Sequence, residues 1–260
     1  MDVPPALLAA AHDNYVESFR LLGRAHPGGD VLELNGGELI LSGRPDAEFN
    51  RLFVWDAPAD AAGLLARAAE ACSRRRCGWT VVAGLAANRA VREAAKGARL
   101  RAGMPQAAMV LASLDEVGPA GNIRGLVIEP VESPAMADTL VAVLEDGFGV
   151  PAGFYRSYGC PGVWDAPEIR CYLGWLDDEA VACAAVLLSG EMAGLYHVST
   201  IKEFRKMGLA DALGRHALRE AAATGCRAAT LQPTMMGYSI YTRIGFRPAF
   251  SYASWYSLPP

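Results

Sequence analysis

Two successive series of extended and helical patterns run along this chain, separated by a polar break near residue 120, and that duplication limits what it can fold into. In the first series, Pro4 to about Gly23 carries Leu7, Leu8, Ala11, Tyr15, Phe19 and Leu22 at helical spacing. Three β-like runs follow at Val31–Leu34, Glu38–Ser42 and Asn50–Val54, divided by the turn signals Asn35-Gly36-Gly37 and Gly43-Arg44-Pro45. A helix is predicted over Asp60–Arg75, with the capping-type Asp56 and Pro58 just before it. A buried strand at Trp79–Val82, a helix at Asn88–Ala98 and a strand at Gln106–Leu114 complete the first half.

Glu116–Gly125 holds Gly118, Pro119, Gly121 and Asn122 without periodicity and reads as a linker. The second series gives a strand at Gly125–Glu129, a helix at Ser133 to about Phe148 and a Gly/Pro/aromatic segment at Gly149–Asp165. Strands at Arg170–Leu176 and Val181–Leu188, hinged at Asp177-Asp178, precede a strand at Leu195–Thr200. Met207–Thr224 is a helix with Leu209, Leu213, Ala217, Leu218 and Ala221 on one stripe, ended by Gly225. A strand at Ala228–Gln232, a helix at Met235–Arg243 ended by Gly245, and a β segment at Arg247–Ser257 close the chain. Strand, connection, long helix and strand recur in the same order in both halves, which argues for two domains, residues 1–116 and 122–260.

With 52% hydrophobic residues over 260 positions, the chain can bury a full core. Its 24 basic and 28 acidic residues give a net charge of −4, which removes the electrostatic footprint of a dedicated nucleic-acid binder. The opening MDVPPALLAA lacks a basic stretch followed by a long apolar run, and the apolar run around Ala180–Leu188 is shorter than the ~20 residues a bilayer requires. A cytoplasmic protein without a membrane partner is expected. The six cysteines form no CxxC pair and the four histidines are scattered, so free thiols are expected, with no metal site and no disulfide framework.

Chemistry concentrates between Leu195 and Phe246. Val198-Ser199-Thr200 closes a strand, and Arg205-Lys206-Met207-Gly208-Leu209-Ala210 opens a helix. A strand feeding such a loop aims backbone N–H groups and the positive end of a helix dipole at one point, an arrangement that binds phosphate or pyrophosphate. Gly208 removes a side chain that would keep the ligand away. Downstream, Tyr241-Thr242-Arg243-Ile244-Gly245-Phe246 ends a short helix and turns into a strand.

Taken in order, these motifs make residues from about Ile123 to Leu258 resemble the GNAT superfamily of N-acetyltransferases. The family's Q/R-x-x-G-x-G/A loop is matched by Arg205, Gly208 and Ala210, and its Y-x-K/R-x-G-F signature by Tyr241, Arg243, Gly245 and Phe246. The resemblance implies an α/β (α+β) fold with a mixed, mostly antiparallel central sheet flanked by helices. It also implies acetyl-CoA as cosubstrate, with Val198, Ser199 and Thr200 pairing with the pantetheine arm and Arg205 to Ala210, including Lys206, Met207 and Leu209, on the pyrophosphate. The family's cofactor-binding Asn corresponds to Thr234. Residues 1–116 resemble the degenerate half of tandem GNAT proteins, since VWDAPADAAGLLA stands where the loop would be.

In such enzymes an amine attacks the thioester directly. The resemblance casts Tyr241 as general acid to the CoA sulfur and the Val198 N–H as oxyanion donor, and requires none of the cysteines as nucleophile. Where many relatives carry a glutamate base, the positions here include Gly194 and Ala229. His197, Glu191 and a water chain are the open alternatives, and a merely packed His197 stands beside them. Phe154, Tyr155, Tyr158 and Trp164, with Asp165 and Glu168 nearby, are candidates to line the acceptor site, though such loops also cover cores. The acceptor is expected to be a primary amine of a small molecule or a peptide, and the protein a monomer or homodimer. A CoA-binding sensor without activity and a longer-chain acyl donor are the competing readings.

Overall fold

The computed structural model describes residues 3–259. Helix α1 (Pro5–Ala25) is followed by strands β1 (Gly29–Leu34), β2 (Gly37–Ser42) and β3 (Arg51–Val54), helix α2 (Ala61–Arg74), strand β4 (Trp79–Ala83), helix α3 (Asn88–Gly97) and strands β5 (Arg101–Ala102) and β6 (Gln106–Leu111). The second series is β7 (Val127–Pro130), α4 (Pro134–Phe148), β8 (Ile169–Leu176), β9 (Glu179–Ser189), β10 (Met192–Thr200), α5 (Leu209–Ala223), β11 (Ala228–Leu231), α6 (Tyr238–Ile244) and β12 (Arg247–Ser257). The architecture is the expected mixed, mostly antiparallel sheet flanked by helices.

Local chemistry explains the ends of these elements. Ser133 accepts a hydrogen bond from the Met136 N–H, a proline opens α4, and Gly149 ends it at φ 66°. The cap of α2 is Asp60, not the upstream Asp56, and its carboxylate accepts from the Gly63 N–H at 2.8 Å. Helix α6 starts at Tyr238, three residues later than its pattern suggests, because the Thr234 carbonyl collects the N–H groups of Gly237 and Tyr238 in a preceding turn.

The chain forms two compact units. One takes Met109–Pro248 together with the described residues up to Tyr15, and the other takes Val16–Ala108 and the described residues from Ala249 on. These limits differ from a cut at 116–122 because pairing, not proximity in sequence, assigns the ends. Ala253–Ser257 of β12 lie antiparallel to Trp79–Ala83 of β4, which places this strand with the N-terminal unit. There the strand order is β1-β2-β3-β4-β12, with β5 also on β12.

In the C-terminal unit the order is β6-β11-β10-β9-β8-β7, and among the described residues within it only β10 and β11 run parallel. The stripe Leu209, Leu213, Ala217, Leu218 and Ala221 of α5 is buried. Val198 packs with that core, whereas the neighbouring Ser199 reaches the Val143 carbonyl of α4. Adjacent strand residues face opposite ways, so α4 and α5 cover opposite faces of the sheet.

Asn14 interrupts the apolar stripe of α1 and is fully buried. Its amide nitrogen lies 3.2 Å from the Leu187 carbonyl, 2.7 Å from Ser189 Oγ and 3.4 Å from the Met192 carbonyl, and its Oδ1 accepts from the Tyr196 hydroxyl at 2.7 Å. A Cβ at Gly194 would stand 1.9 Å from that oxygen, so only glycine lets the amide reach β10. Asn14→Ala orphans these buried groups and is expected to cost about 2 kcal/mol, read as a lower midpoint in a urea titration; an unchanged midpoint would remove the amide from the fold's support.

Candidate active site

The parallel pairing of β10 with β11 begins at Met192↔Ala228 and stops at Gly194↔Thr230. Beyond that point β10 runs on to Thr200 while β11 ends at Leu231, so the two strands part. On its other side β10 carries a bulge: Tyr196 pairs with Ala185 and Ser199 with Cys183, leaving His197 and Val198 opposite Ala184 alone. His197 adopts a left-handed φ of 53°, uncommon for a residue with a side chain and concentrated at functional sites. The bulge re-aims the Val198 N–H and brings His197 to the α4 side, where its ring centroid lies 4.0 Å from that of Tyr158.

Behind the parted strands stands the loop of the RxxGxA motif. Lys206 and Gly208 both adopt left-handed φ, 68° and 87°, and Gly208 opens α5 with no side chain capping its amides. The first-turn N–H groups are therefore presented with the helix dipole behind them. Arg205 holds the loop in place: its guanidinium donates to the Gly147 carbonyl at 2.6 Å and to the Thr200 carbonyl at 3.4 Å. Beside the loop lies a cavity of about 670 Å³ lined by Gly121, Asn122, Ile123, Met207, Gly208, Asp211, Arg215 and Arg243. Two buried polar atoms without a hydrogen-bond partner, Thr200 Oγ1 and Gln232 Nε2, mark the ends of the two diverging strands. Buried polar groups call for partners, and a ligand with amides laid between the strands would supply them.

A family model described as an acetyltransferase (GNAT) domain matches residues 124–238. The match takes in the parted strands and the RxxGxA loop. Among solved structures, a GCN5-related N-acetyltransferase from Kribbella flavida is similar over 95% of both chains at 16% identity, with a TM-score of 0.73. A tandem GNAT protein from the clavulanic acid biosynthesis pathway, solved without AcCoA, is similar over 97% of this chain and 96% of its own at 13% identity and a TM-score of 0.63. A GCN5-related N-acetyltransferase from Sphaerobacter thermophilus covers 85% of this chain and 76% of its own at 17% identity and a TM-score of 0.62. These likenesses concern the fold. Comparison with curated protein sequences gives no significant match.

In the N-terminal unit the equivalent geometry differs. Parallel strands β3 and β4 stay paired from Arg51↔Thr80 to Val54↔Ala83, the last residues of both, and so do not part. The following helix, α2, has its N-terminal amide occupied by its own Asp60 carboxylate. A negative side chain stands where an anionic ligand would sit.

Around the parted strands of the C-terminal unit, Tyr241 is 9% exposed, and burial raises its pKa well above the usual phenol value, so its hydroxyl keeps its proton at neutral pH. That hydroxyl makes no hydrogen bond among the described residues, leaving it available to a ligand. Burial pulls His197 down to about 4, so the imidazole is neutral. Thr234 is exposed, and its hydroxyl accepts the Gly237 N–H at 3.2 Å. The six cysteines are free; burial raises Cys171, to about 12, and also Cys183, so neither is a ready nucleophile. Among the described residues no cluster of His, Cys, Asp and Glu could hold a metal ion, and no helix is long and apolar enough to cross a membrane.

Of the aromatic residues singled out in the sequence, Phe154, Tyr155 and Tyr158 gather beside His197, whereas Trp164 makes no ring contact with them. The Asp165 carboxylate accepts from the Gly162 N–H at 2.5 Å, while at Glu168 it is the backbone carbonyl that accepts, from the Leu188 N–H. Glu191, at the β9–β10 turn, pairs with Arg227 at 3.0 Å. Two residues the motifs did not flag are central. Glu145, buried on α4, accepts from the Gly153 and Tyr155 N–H groups at 2.9 and 2.7 Å and fixes the aromatic loop. Gly147 lets α4 close on the bulge, since a Cβ there would lie 2.0 Å from Ser199 Oγ. A glutamate on the apolar side of α4 was the available signal for the first.

The unfolded chain protonates its histidines near pH 6.5, while folded His197 resists until about 4, so proton uptake favours unfolding as pH falls through that window. His216, also lowered, acts with the same sign. Stability is expected to decline from about pH 6.5 to pH 4, with His197→Gln flattening part of that slope and the His197 Cε1 proton titrating near pH 4 by NMR. Titration near 6.5 would show that the ring is solvated.

Proposed function

We propose that this protein transfers an acetyl group from acetyl-CoA to a primary amine by direct attack, with residues 122–260 as the active half and the N-terminal half binding no donor. The observation that carries this reading is the parting of β10 and β11 after Gly194↔Thr230, directly in front of the uncapped N-terminus of α5. The pantetheine arm pairs with Val198, Ser199 and Thr200 as an added strand, and the pyrophosphate meets the amides from Arg205 to Ala210. Lys206 adds positive charge at the loop. Met207 and Leu209 contribute backbone, with the Leu209 side chain committed to the core. Thr234 stands at the turn before α6, where its hydroxyl can still donate.

The reaction forms a C–N bond and breaks the C–S bond of the thioester. The Val198 N–H, re-aimed by the bulge, steadies negative charge on the carbonyl oxygen. Tyr241, kept protonated by burial, gives its proton to the departing thiolate and recovers one from solvent. His197 stands beside the centre as a neutral acceptor, but with a pKa near 4 it draws a proton weakly, so water carries most of the proton leaving the amine.

Gly208→Glu sets a carboxylate against the pyrophosphate and is expected to abolish CoA binding by calorimetry; retained affinity would dismiss the loop assignment. Tyr241→Phe is expected to lower kcat about 10- to 100-fold with little change in the KM for acetyl-CoA, a modest loss because a thiolate leaves readily. An unaltered kcat, followed as thiol release, would take the proton donor away from this tyrosine.

A further inference from the structure

The rings beside His197 form one connected set on the C-terminal unit. Tyr158 lies 4.0 Å from His197 and 5.7 Å from Tyr155 between centroids, and Tyr155 in turn lies 5.0 Å from Phe154 and 5.8 Å from Phe148. The set is not sealed in the core: Phe148 is 40% exposed, and Phe154, Tyr155 and Tyr158 are half-buried. It is also held rigidly, because both Glu145 oxygens are taken by backbone N–H groups of the loop that carries it. Such a preformed wall loses little conformational entropy on meeting a ligand.

Charge narrows what this wall can receive. The segment from Gly147 to Gly159 contains neither Asp nor Glu, and Arg156 is its charged residue. Of the carboxylates nearest in sequence, Glu145 is engaged by the loop and Asp165 by Gly162, while Asp146 is exposed on the last turn of α4. A polyamine or an aminoglycoside calls for several carboxylates facing it, and the segment that carries the wall contributes none. Tyrosine and phenylalanine faces instead attract flat rings.

Resting on the acetyl-transfer reading above, we infer that the acceptor is a monoamine carried on an aromatic ring, seated on Phe148, Phe154, Tyr155 and Tyr158 with its nitrogen toward the bulge at His197. An apolar wall of this kind also disfavours the ammonium form of a bound amine, which eases loss of its proton where no strong base stands nearby.

The test uses the full-length protein with acetyl-CoA, thiol release as readout, and 2-phenylethylamine, butylamine, spermidine and a lysine-containing peptide as acceptors. The expected result is a kcat/KM for 2-phenylethylamine at least tenfold above that of each of the others. Tyr158→Ala is expected to cut the phenylethylamine-to-butylamine ratio at least tenfold, mainly through KM, with Tyr158→Phe restoring it. Tyr155→Leu, a milder change, is expected to lower the same ratio severalfold. A preference for spermidine or the peptide, or a ratio unmoved by Tyr158→Ala and Tyr155→Leu, overturns the inference. Calorimetry with CoA runs in parallel: CoA binding with acetylation of another amine but not of the aromatic one overturns this inference alone, whereas no CoA binding, or CoA binding with no amine acetylated, overturns the acetyl-transfer reading itself.

Discussion

Backbone amides that leave a sheet need another partner, and the divergence of β10 from β11 makes that demand at the centre of the C-terminal unit. After Gly194↔Thr230 the ladder ends, yet β10 continues to Thr200 in extended form. The rest of the domain holds this unfinished edge in shape. Antiparallel pairing with β9 secures its far side, α5 packs under Val198, and α4 closes on Ser199 through Gly147. Arg205 ties the loop, the end of β10 and the end of α4 together through two carbonyls.

The contrast between the halves shows how small the local differences are. In the N-terminal unit the corresponding strands stay paired to their ends, so no backbone edge is exposed, and the next helix is capped by its own aspartate. In the C-terminal unit a glycine in left-handed conformation stands at the helix start. One side chain thus separates a helix that caps its own terminus from one whose terminus no side chain caps.

Much of this was legible in advance. The stripe of α5, the turn at Asp177-Asp178 and the order of elements follow from periodicity and turn chemistry, which are local. The loop motif could be read because glycine tolerates φ 87° and the following helix supplies the amides. The aromatic loop was partly legible: Phe154, Tyr155 and Tyr158 were named together, but their contact with His197 depends on a bulge that no pattern announces. Asn14 and Glu145 sit as polar residues within apolar stripes, a signal that something must satisfy them without saying what.

Sequence by itself determined the type of the main elements other than the short β5, the two series, and the residue chemistry offered by Gly208 and Ala210 at the start of α5 and by Tyr241 in α6. Tertiary structure alone decided which strands part, where β10 bulges, which unit owns the ends of the chain, and that His197 is neutral against a wall of rings. The physical reason is the range of the forces involved. Turn geometry, capping and amphipathic spacing act over a few residues, whereas strand register, desolvation and the satisfaction of buried polar groups depend on segments more than a hundred residues apart, as Asn14 and Met192 are.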